Sequence, residues 1–419
     1  MSDLRGPAFD PDKLSAMLRA IFASTPDVSK LYDFSKFYAS IAQSANLGAL
    51  VNLQLAPMIE SLSRLSLGSR RGTSADRTEN SAYSDEMRSP EDFFSANEGV
   101  IESFDDLHYA IQELVARNPS IQLAWRGQRD SRWGLHSSLF RALVAVNGVR
   151  LPSKLPHRRS EPYPTEEEMV AAERHILDVA RDAWRIDGTS ALEIFARLQH
   201  FGAPTRLLDV SRNPYIAAWF AVERSNEHDV LPGRLFALGT HPVLPAAQKE
   251  LATELTQVRG LVASSYEPFW HVPQSSVQRQ ELEWGTGAIR RFWIPPVYER
   301  RILAQNGAFV LDGVPLSISG MASYFKLPGE SSRYWRRADL LAAASIYTKV
   351  YSPSRKVAEN RARAFPPTFT FRITADAKRD IRAVLEERFS FSAATLYPDT
   401  EGLAQFLRSE LPAALRTRG

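Results

Sequence analysis

The most regular hydrophobic pattern of the chain lies between Leu192 and Val222, where two apolar segments with helical spacing enclose a short mixed run. The sequence Gly202-Ala203-Pro204 ends the first predicted helix, Thr205 to Val210 predicts a short strand, and Pro214 suits the first turn of the second helix. Between these buried segments stand six polar residues: Gln199, His200, Thr205, Arg206, Asp209 and Ser211. Because buried polar groups are costly unless they are satisfied, this cluster predicts either an internal hydrogen-bond network or a functional site.

The rest of the chain divides into three predicted regions. Apolar residues at helical spacing recur through residues 1–66 and predict a small α-helical unit. This unit either caps the main domain or presents a docking face to a protein partner. Residues 67–97 are polar and charged, which predicts a mobile linker. Residues 98–419 form the predicted main domain.

Strands and helices interleave in the main domain without a regular βαβ repeat, which predicts an α+β fold with a mixed β-sheet core flanked by helices. The predicted strands lie at residues 121–125, 205–210, 234–239, 291–294, 307–311 and 369–373. Thr165, followed by Glu168 three residues later, predicts the start of an amphipathic helix.

Arg126 directly follows the first of these strands and precedes a glycine. A guanidinium at such a place is suited to grip a phosphate with two parallel hydrogen bonds, and the glycine lets the backbone turn sharply or approach a ligand. The alternative is an arginine that pairs with a core carboxylate such as Asp209. His200 also has two interpretations, because it ends a helix beside the polar cluster. It is either an acid–base group or a cation that stabilises the helix terminus.

Composition narrows the classes of function. The chain has 419 residues, a net charge of +3 and no cysteine, which excludes disulfides, thiolate metal sites and cysteine nucleophiles. The small net charge gives no general attraction to nucleic acid, so a nucleic-acid target has no support in the sequence. The sequence also lacks the P-loop, HExxH and GxSxG motifs. We expect a cytoplasmic protein with no membrane span and no metal site.

Four stretches together resemble the FRG domain, a bacterial family named after its Phe/Tyr-Arg-Gly motif. They are WRGQRDSRWGLHSSLFR (residues 125–141), QHFGAPTRLLDVSRNPYIAAWFA (199–221), ERRILAQNGAFVL (299–311) and TLYPDTEGLAQFL (395–407). The resemblance runs from about Phe104 to the C-terminus. The family is known mainly as a sequence pattern, so the resemblance says little about activity.

The order of these stretches is also distantly similar to the ADP-ribosyltransferases. In that family an arginine on the first core strand holds NAD, a Ser/Thr-rich strand supports the nicotinamide side, and a glutamate assists the transfer. The resemblance implies an ADP-ribosyltransferase-like fold and NAD as the substrate. The NAD-binding residues would be Arg126, Gln128, Thr205, Ser211 and Gln305.

The position of the catalytic glutamate departs from that family, because Arg301 stands there. An arginine neither stabilises a ribosyl cation nor accepts a proton near neutral pH. Either a different residue acts, or the chain is a non-catalytic FRG-type module that works through protein–protein interaction. The candidate replacements are Asp209, Glu281, Glu283, Glu299 and Gln305, and His200 is the candidate acid–base group. The first hypothesis describes an ADP-ribosyltransferase-like effector, the toxic component of a bacterial defence or toxin–antitoxin system. It requires Arg126 and Ser211 to face one open pocket.

Overall fold

The structure is a computed structural model, and it describes residues 82–152, 161–242, 266–273, 275–295, 300–316, 334–400, 402–404 and 406–407. The predicted helical unit at residues 1–66 lies outside the described residues, as does the first part of the predicted linker. The docking role expected of that helical unit therefore remains a prediction.

An eight-stranded mixed sheet forms the centre of the described fold, and the α+β prediction is confirmed. The strand order is β1-β8-β4-β2-β3-β6-β5, with β7 beside β8. The strands β1 and β7 run parallel to β8, and the other pairs are antiparallel. Their bounds are β1 Gly99–Ile101, β2 Ile121–Gln128, β3 Leu208–Ser211, β4 Gly233–Pro242, β5 Arg291–Trp293, β6 Gly307–Leu311, β7 Lys349–Val350 and β8 Pro367–Ile373.

Helices cover both faces of this sheet. Several begin at the capping residues that the sequence offers: the Thr165 hydroxyl accepts a hydrogen bond from the Glu168 N–H, and the Asn213 side chain accepts from the Tyr215 N–H. The helices are α1 Pro90–Ser95, α2 Phe104–Arg117, α3 Ser138–Val146, α4 Glu166–Asp178, α5 Ala191–His200, α6 Pro214–Val222, α7 Ser276–Glu281, α8 Arg300–Ala304, α9 Arg337–Ala343, α10 Glu359–Ala364, α11 Ala375–Phe389 and α12 Ala393–Leu396.

Side-chain alternation along β2 separates the two main hydrophobic cores. Trp125 packs in a cluster with α2, α6 and α11, whereas Ala124 packs in a cluster with α3 and α9. Successive strand residues point to opposite faces of a sheet, so Arg126 points to the Ala124 side.

Gly127 has a different role from the predicted one. The strand β2 continues through it to Gln128, and a Cβ at this position would lie 1.9 Å from the Ala217 carbonyl oxygen and 2.6 Å from the Ala221 nitrogen. The glycine therefore lets the backbone of α6 lie directly on the sheet, and neither a sharp turn nor a close approach to a ligand explains it.

The linker prediction was wrong for its second part. Tyr83, Met87, Phe93 and Phe94 are buried in the core on the α3 side of the sheet, and residues 90–95 form α1. The composition of the segment is polar, but its few aromatic residues are spaced closely enough to pack, so the folded domain begins well before residue 98.

A buried group of charged side chains connects the segment before β3 to α4. Arg206 lies 2.8 Å from a Glu166 carboxylate oxygen and 2.7 Å from one of Glu173, and all three side chains are buried. The indoles of Trp284 and Trp270 donate to Glu166 and Glu173. Burial alone would raise the pKa of Glu173, but Arg206 and His271 outweigh it and lower that pKa to about 2. Arg206 thus belongs to the core.

We expect Glu173→Gln to destabilise the protein by about 3–5 kcal/mol, because it leaves the buried Arg206 without one of its carboxylate partners. The matched control is Glu113→Gln, which breaks an exposed pair with Arg117 at 2.9 Å and is expected to cost roughly 0.5 kcal/mol or less. Urea unfolding of both variants measures the difference. Equal losses of unfolding free energy in the two variants would show that the buried ion pair stabilises the protein no more than the exposed pair does.

Candidate functional site

A gap opens in the sheet where β2 and β3 separate. The two strands share one register pair, Trp125 with Ser211, while β2 stays paired with β4 as far as Gln128. The Arg126 guanidinium crosses the gap: its Nη1 donates to the backbone carbonyl oxygen of Asp209 at 2.6 Å and lies 3.8 Å from that residue's Oδ2. A side chain thus joins the strands where the backbone ladder has ended.

A pocket of about 240 Å³ lies at this gap and opens to solvent. Pockets for drug-sized ligands typically measure about 300–1,000 Å³, so this one is smaller than such sites. Arg126, Asp209, the start of α3 and the end of α5 form its wall. The lining residues are Arg126, His136, Ser137, Ser138, Arg141, Gln199, Gly202, Ala203, Leu207, Leu208 and Asp209.

The pocket carries two guanidinium groups and one carboxylate. Arg126 Nε is buried, and no acceptor among the described residues lies within hydrogen-bond distance of it. An unsatisfied buried donor costs on the order of 1–3 kcal/mol, more for a charged group. Burial lowers the pKa of Arg126, which Asp209 partly opposes, but an arginine stays protonated in proteins. An anion that contacted Nε would satisfy this donor.

Three of the six members of the polar cluster predicted from the sequence, Thr205, Gln199 and Asp209, meet here and form a chain of hydrogen bonds. The Thr205 hydroxyl donates to Gln199 Oε1, and Gln199 Nε2 donates to Asp209 Oδ1 at 2.6 Å. Thr205 is fully buried, whereas the Asp209 side chain is 64% exposed. The two interpretations of the cluster are therefore compatible, because an internal network borders an open pocket.

The start of α3 is tied to the loop before β3. The Leu139 N–H donates to the Thr205 carbonyl oxygen at 2.9 Å, and the Phe140 N–H donates to the Ser137 hydroxyl at 3.3 Å. The Ser138 hydroxyl accepts from the Thr205 N–H and donates to its carbonyl oxygen. These bonds engage the N–H groups of Leu139 and Phe140 within the protein.

His136 is a neutral member of the pocket wall. Burial lowers its pKa to about 4, and the nearby Arg141 acts in the same direction. Its Nε2 lies 2.8 Å from the Leu341 carbonyl oxygen, which only accepts, so Nε2 carries the proton. Arg141 Nη1 in turn donates to the His136 carbonyl oxygen at 2.6 Å. The imidazole holds the start of α3 against α9.

Ser211 does not meet Arg126 at the pocket, contrary to the prediction. It pairs directly with Trp125 and so faces the opposite side of the sheet from Arg126. Its hydroxyl is buried, donates to the Gln305 carbonyl oxygen at 2.7 Å and accepts from the Asn213 N–H at 3.0 Å. These bonds anchor the turn between β3 and α6.

Three further predicted residues also have partners away from the pocket. Gln128 is buried and its Nε2 donates to the Gly134 carbonyl oxygen at 3.1 Å. The Gln305 side chain donates to the Leu396 carbonyl oxygen at 2.9 Å. His200 Nε2 lies 3.8 Å from Asp399 Oδ2. Glu299 lies outside the described residues.

Arg301, which stands where the ADP-ribosyltransferase resemblance places a glutamate, forms a structural ion pair with Asp399. Its Nε and Nη2 each lie 2.9 Å from a different oxygen of Asp399, and its guanidinium stacks 5.0 Å from the centre of the Tyr397 ring. This bidentate pair joins the third and fourth of the resembling stretches.

His136 and Ser138 were not predicted at the site from the sequence, and Arg141 was compatible with either the core or the site. The signal was present, since all three lie in the WRGQRDSRWGLHSSLFR stretch with Arg126. The pattern of a serine cap before an apolar helix accounts for this stretch without any site, so only the packing of α3 beside β3 shows that it lines a pocket.

The family model of the FRG domain matches residues 121–230. The match includes two of the four stretches, and all the pocket-lining residues lie within it. No curated protein and no solved structure matches the chain. No helix of the described residues has the length and apolar character needed to cross a membrane.

We expect His136 to make the protein less stable as the pH falls from about 6.5 to about 4. The folded pKa of about 4 lies below the ordinary value of about 6.5, so in this window the unfolded chain binds a proton that the folded protein does not. Relative to His136→Gln, wild type should lose about 3 kcal/mol across the window.

Urea unfolding at several pH values measures this difference. Burial raises the pKa of Asp312 to about 6, so this residue stabilises the folded protein as the pH falls. It does so equally in wild type and in His136→Gln, and the difference between the two proteins therefore reports the contribution of His136. Parallel stability profiles for the two proteins would contradict the expectation.

Proposed function

We propose that the Arg126 pocket binds the diphosphate part of NAD and that the chain is an ADP-ribosyltransferase-like enzyme. The observation that carries the proposal is the Arg126 guanidinium, which has a buried Nε without an acceptor among the described residues and faces a pocket with a second arginine. Paired guanidinium groups are suited to phosphate oxygens. The small pocket would hold this part of NAD and leave the rest outside.

Asp209 is the carboxylate best placed for the reaction. In ADP-ribosyl transfer the bond between the nicotinamide nitrogen and the ribose carbon breaks, nicotinamide leaves with the bonding electrons, and an acceptor nucleophile forms the new bond. Negative charge beside the ribosyl cation stabilises this transition state. Asp209 stands at the pocket beside Arg126, so both would contact one ligand. Glu299 remains an unplaced candidate.

In a cell, such an enzyme would consume NAD or modify a macromolecule. This is the basis for proposing an effector of a bacterial defence or toxin–antitoxin system. The N-terminal helices would then serve as the docking face for a regulating protein.

A non-catalytic binding module is the second candidate, and one observation favours it. The hydroxyls of Thr205 and Ser211, which the resemblance assigns to NAD binding, are engaged in bonds within the protein. In this case the pocket would bind its ligand without turnover, and the function would be protein–protein interaction.

Substitution of Arg126 tests the site. We expect Arg126→Gln to weaken NAD binding by about 10- to 150-fold, which corresponds to the loss of one charge-assisted hydrogen bond of about 1.5–3 kcal/mol. Arg126→Lys should weaken it as well, because a lysine keeps the charge but loses the planar fork. Calorimetric titration with NAD measures the affinity, and a thermal melt of each variant serves as the folding control.

The matched control is Arg355→Ala, which removes the same charge at an exposed position outside the pocket and should bind NAD like wild type. If wild type releases nicotinamide from NAD and Arg126→Gln does not, the ADP-ribosyltransferase-like enzyme is supported. If wild type binds NAD without releasing nicotinamide, the non-catalytic binding module is supported. If folded wild type does not bind NAD, the proposal fails.

A further inference from the structure

The chain of hydrogen bonds from Thr205 to Asp209 has one possible direction. A carboxylate only accepts, so Gln199 must turn its NH₂ group toward Asp209 Oδ1. Its Oε1 then faces Thr205 and also only accepts, so the Thr205 hydroxyl must donate to it. The Leu207 N–H donates to the same hydroxyl oxygen at 3.2 Å. Each group therefore has a single role in the chain.

Thr205, the inner end of this chain, is held rigidly. Its side chain is fully buried and β-branched, which restricts its rotamer. Its backbone N–H and carbonyl oxygen both bond to the Ser138 hydroxyl at the start of α3. The packing of α3 against the loop before β3 thus holds the Thr205 backbone, and the restricted rotamer sets the position of the hydroxyl oxygen.

Asp209, the outer end, would have more freedom on its own. Its side chain is 64% exposed, and an exposed aspartate usually samples several rotamers. The bond from Gln199 holds Oδ1 and leaves Oδ2 on the Arg126 side of the carboxylate, 3.8 Å from Nη1. A buried hydroxyl therefore sets the position of an exposed carboxylate through one amide.

We propose that Thr205 and Gln199 are positioning residues that hold the Asp209 carboxylate against the ligand in the Arg126 pocket. The inference rests on the proposed function, since it takes NAD as the ligand. Arg126 holds the phosphates, and the positioned Asp209 meets the cationic nicotinamide end. The Thr205–Gln199 pair acts only through Asp209, so its removal should affect NAD and spare a ligand that consists of phosphate alone.

A matched pair of substitutions tests this inference. Thr205→Val is nearly isosteric but removes the hydroxyl, whereas Thr205→Ser keeps it. We expect Thr205→Val to bind NAD about tenfold more weakly than wild type, a loss of about 1.4 kcal/mol, and to bind inorganic pyrophosphate with unchanged affinity. Thr205→Ser should bind both ligands like wild type. A purely structural role for the hydroxyl would weaken both ligands together or neither.

A second measurement needs no ligand. The side-chain amide of Gln199 should give an NMR signal that is protected from solvent exchange in wild type and in Thr205→Ser, and unprotected in Thr205→Val. The positioning role is overturned if this protection persists in Thr205→Val, or if the two variants bind NAD equally well. Absence of NAD binding by wild type with the amide protection intact would instead overturn the proposed function and leave the hydrogen-bond chain standing.

Discussion

The bond from Arg126 to the carbonyl oxygen of Asp209 is the interaction on which the site depends. Two neighbouring strands separate after a single register pair, and a guanidinium replaces the missing backbone ladder at 2.6 Å. The same separation creates the pocket. On the other face of β2, Gly127 brings the backbone of α6 onto the sheet. Because successive residues of β2 point to opposite faces of the sheet, Gly127 faces α6 and Arg126 faces the other side.

Much of this arrangement follows from local sequence. Apolar spacing predicts α5 and α6, capping residues mark the helix starts, and the polar residues between them indicate a network or a site. The sequence does not reveal strand register. The pairing of Ser211 with Trp125 sends that hydroxyl away from Arg126, whereas Asp209 reaches the pocket because β3 has left β2 at its position. Asp209 and Ser211 lie two residues apart on β3 and share a face of the sheet, so the separation of the two strands, and not the register, decides which of them lines the pocket.

Several residues that the sequence suggested for the site instead connect separate parts of the fold. Arg301 binds Asp399 through both oxygens and Gln305 reaches Leu396, so the third and fourth resembling stretches are adjacent in space. Arg206 is committed to Glu166 and Glu173. Arg206 and His271 lower the pKa of Glu173, as charged neighbours also do in catalytic sites, and only the presence of an open pocket separates the two cases. Arg126 lines such an open pocket.

A crystal structure of the protein with pyrophosphate at saturating concentration tests the central claim most directly. The account predicts a phosphate oxygen within hydrogen-bond distance of Arg126 Nε, with the bond from Nη1 to the Asp209 carbonyl oxygen preserved. Bound pyrophosphate that contacts other residues while Arg126 stays without an anion would contradict it, as would a pocket closed by its own side chains.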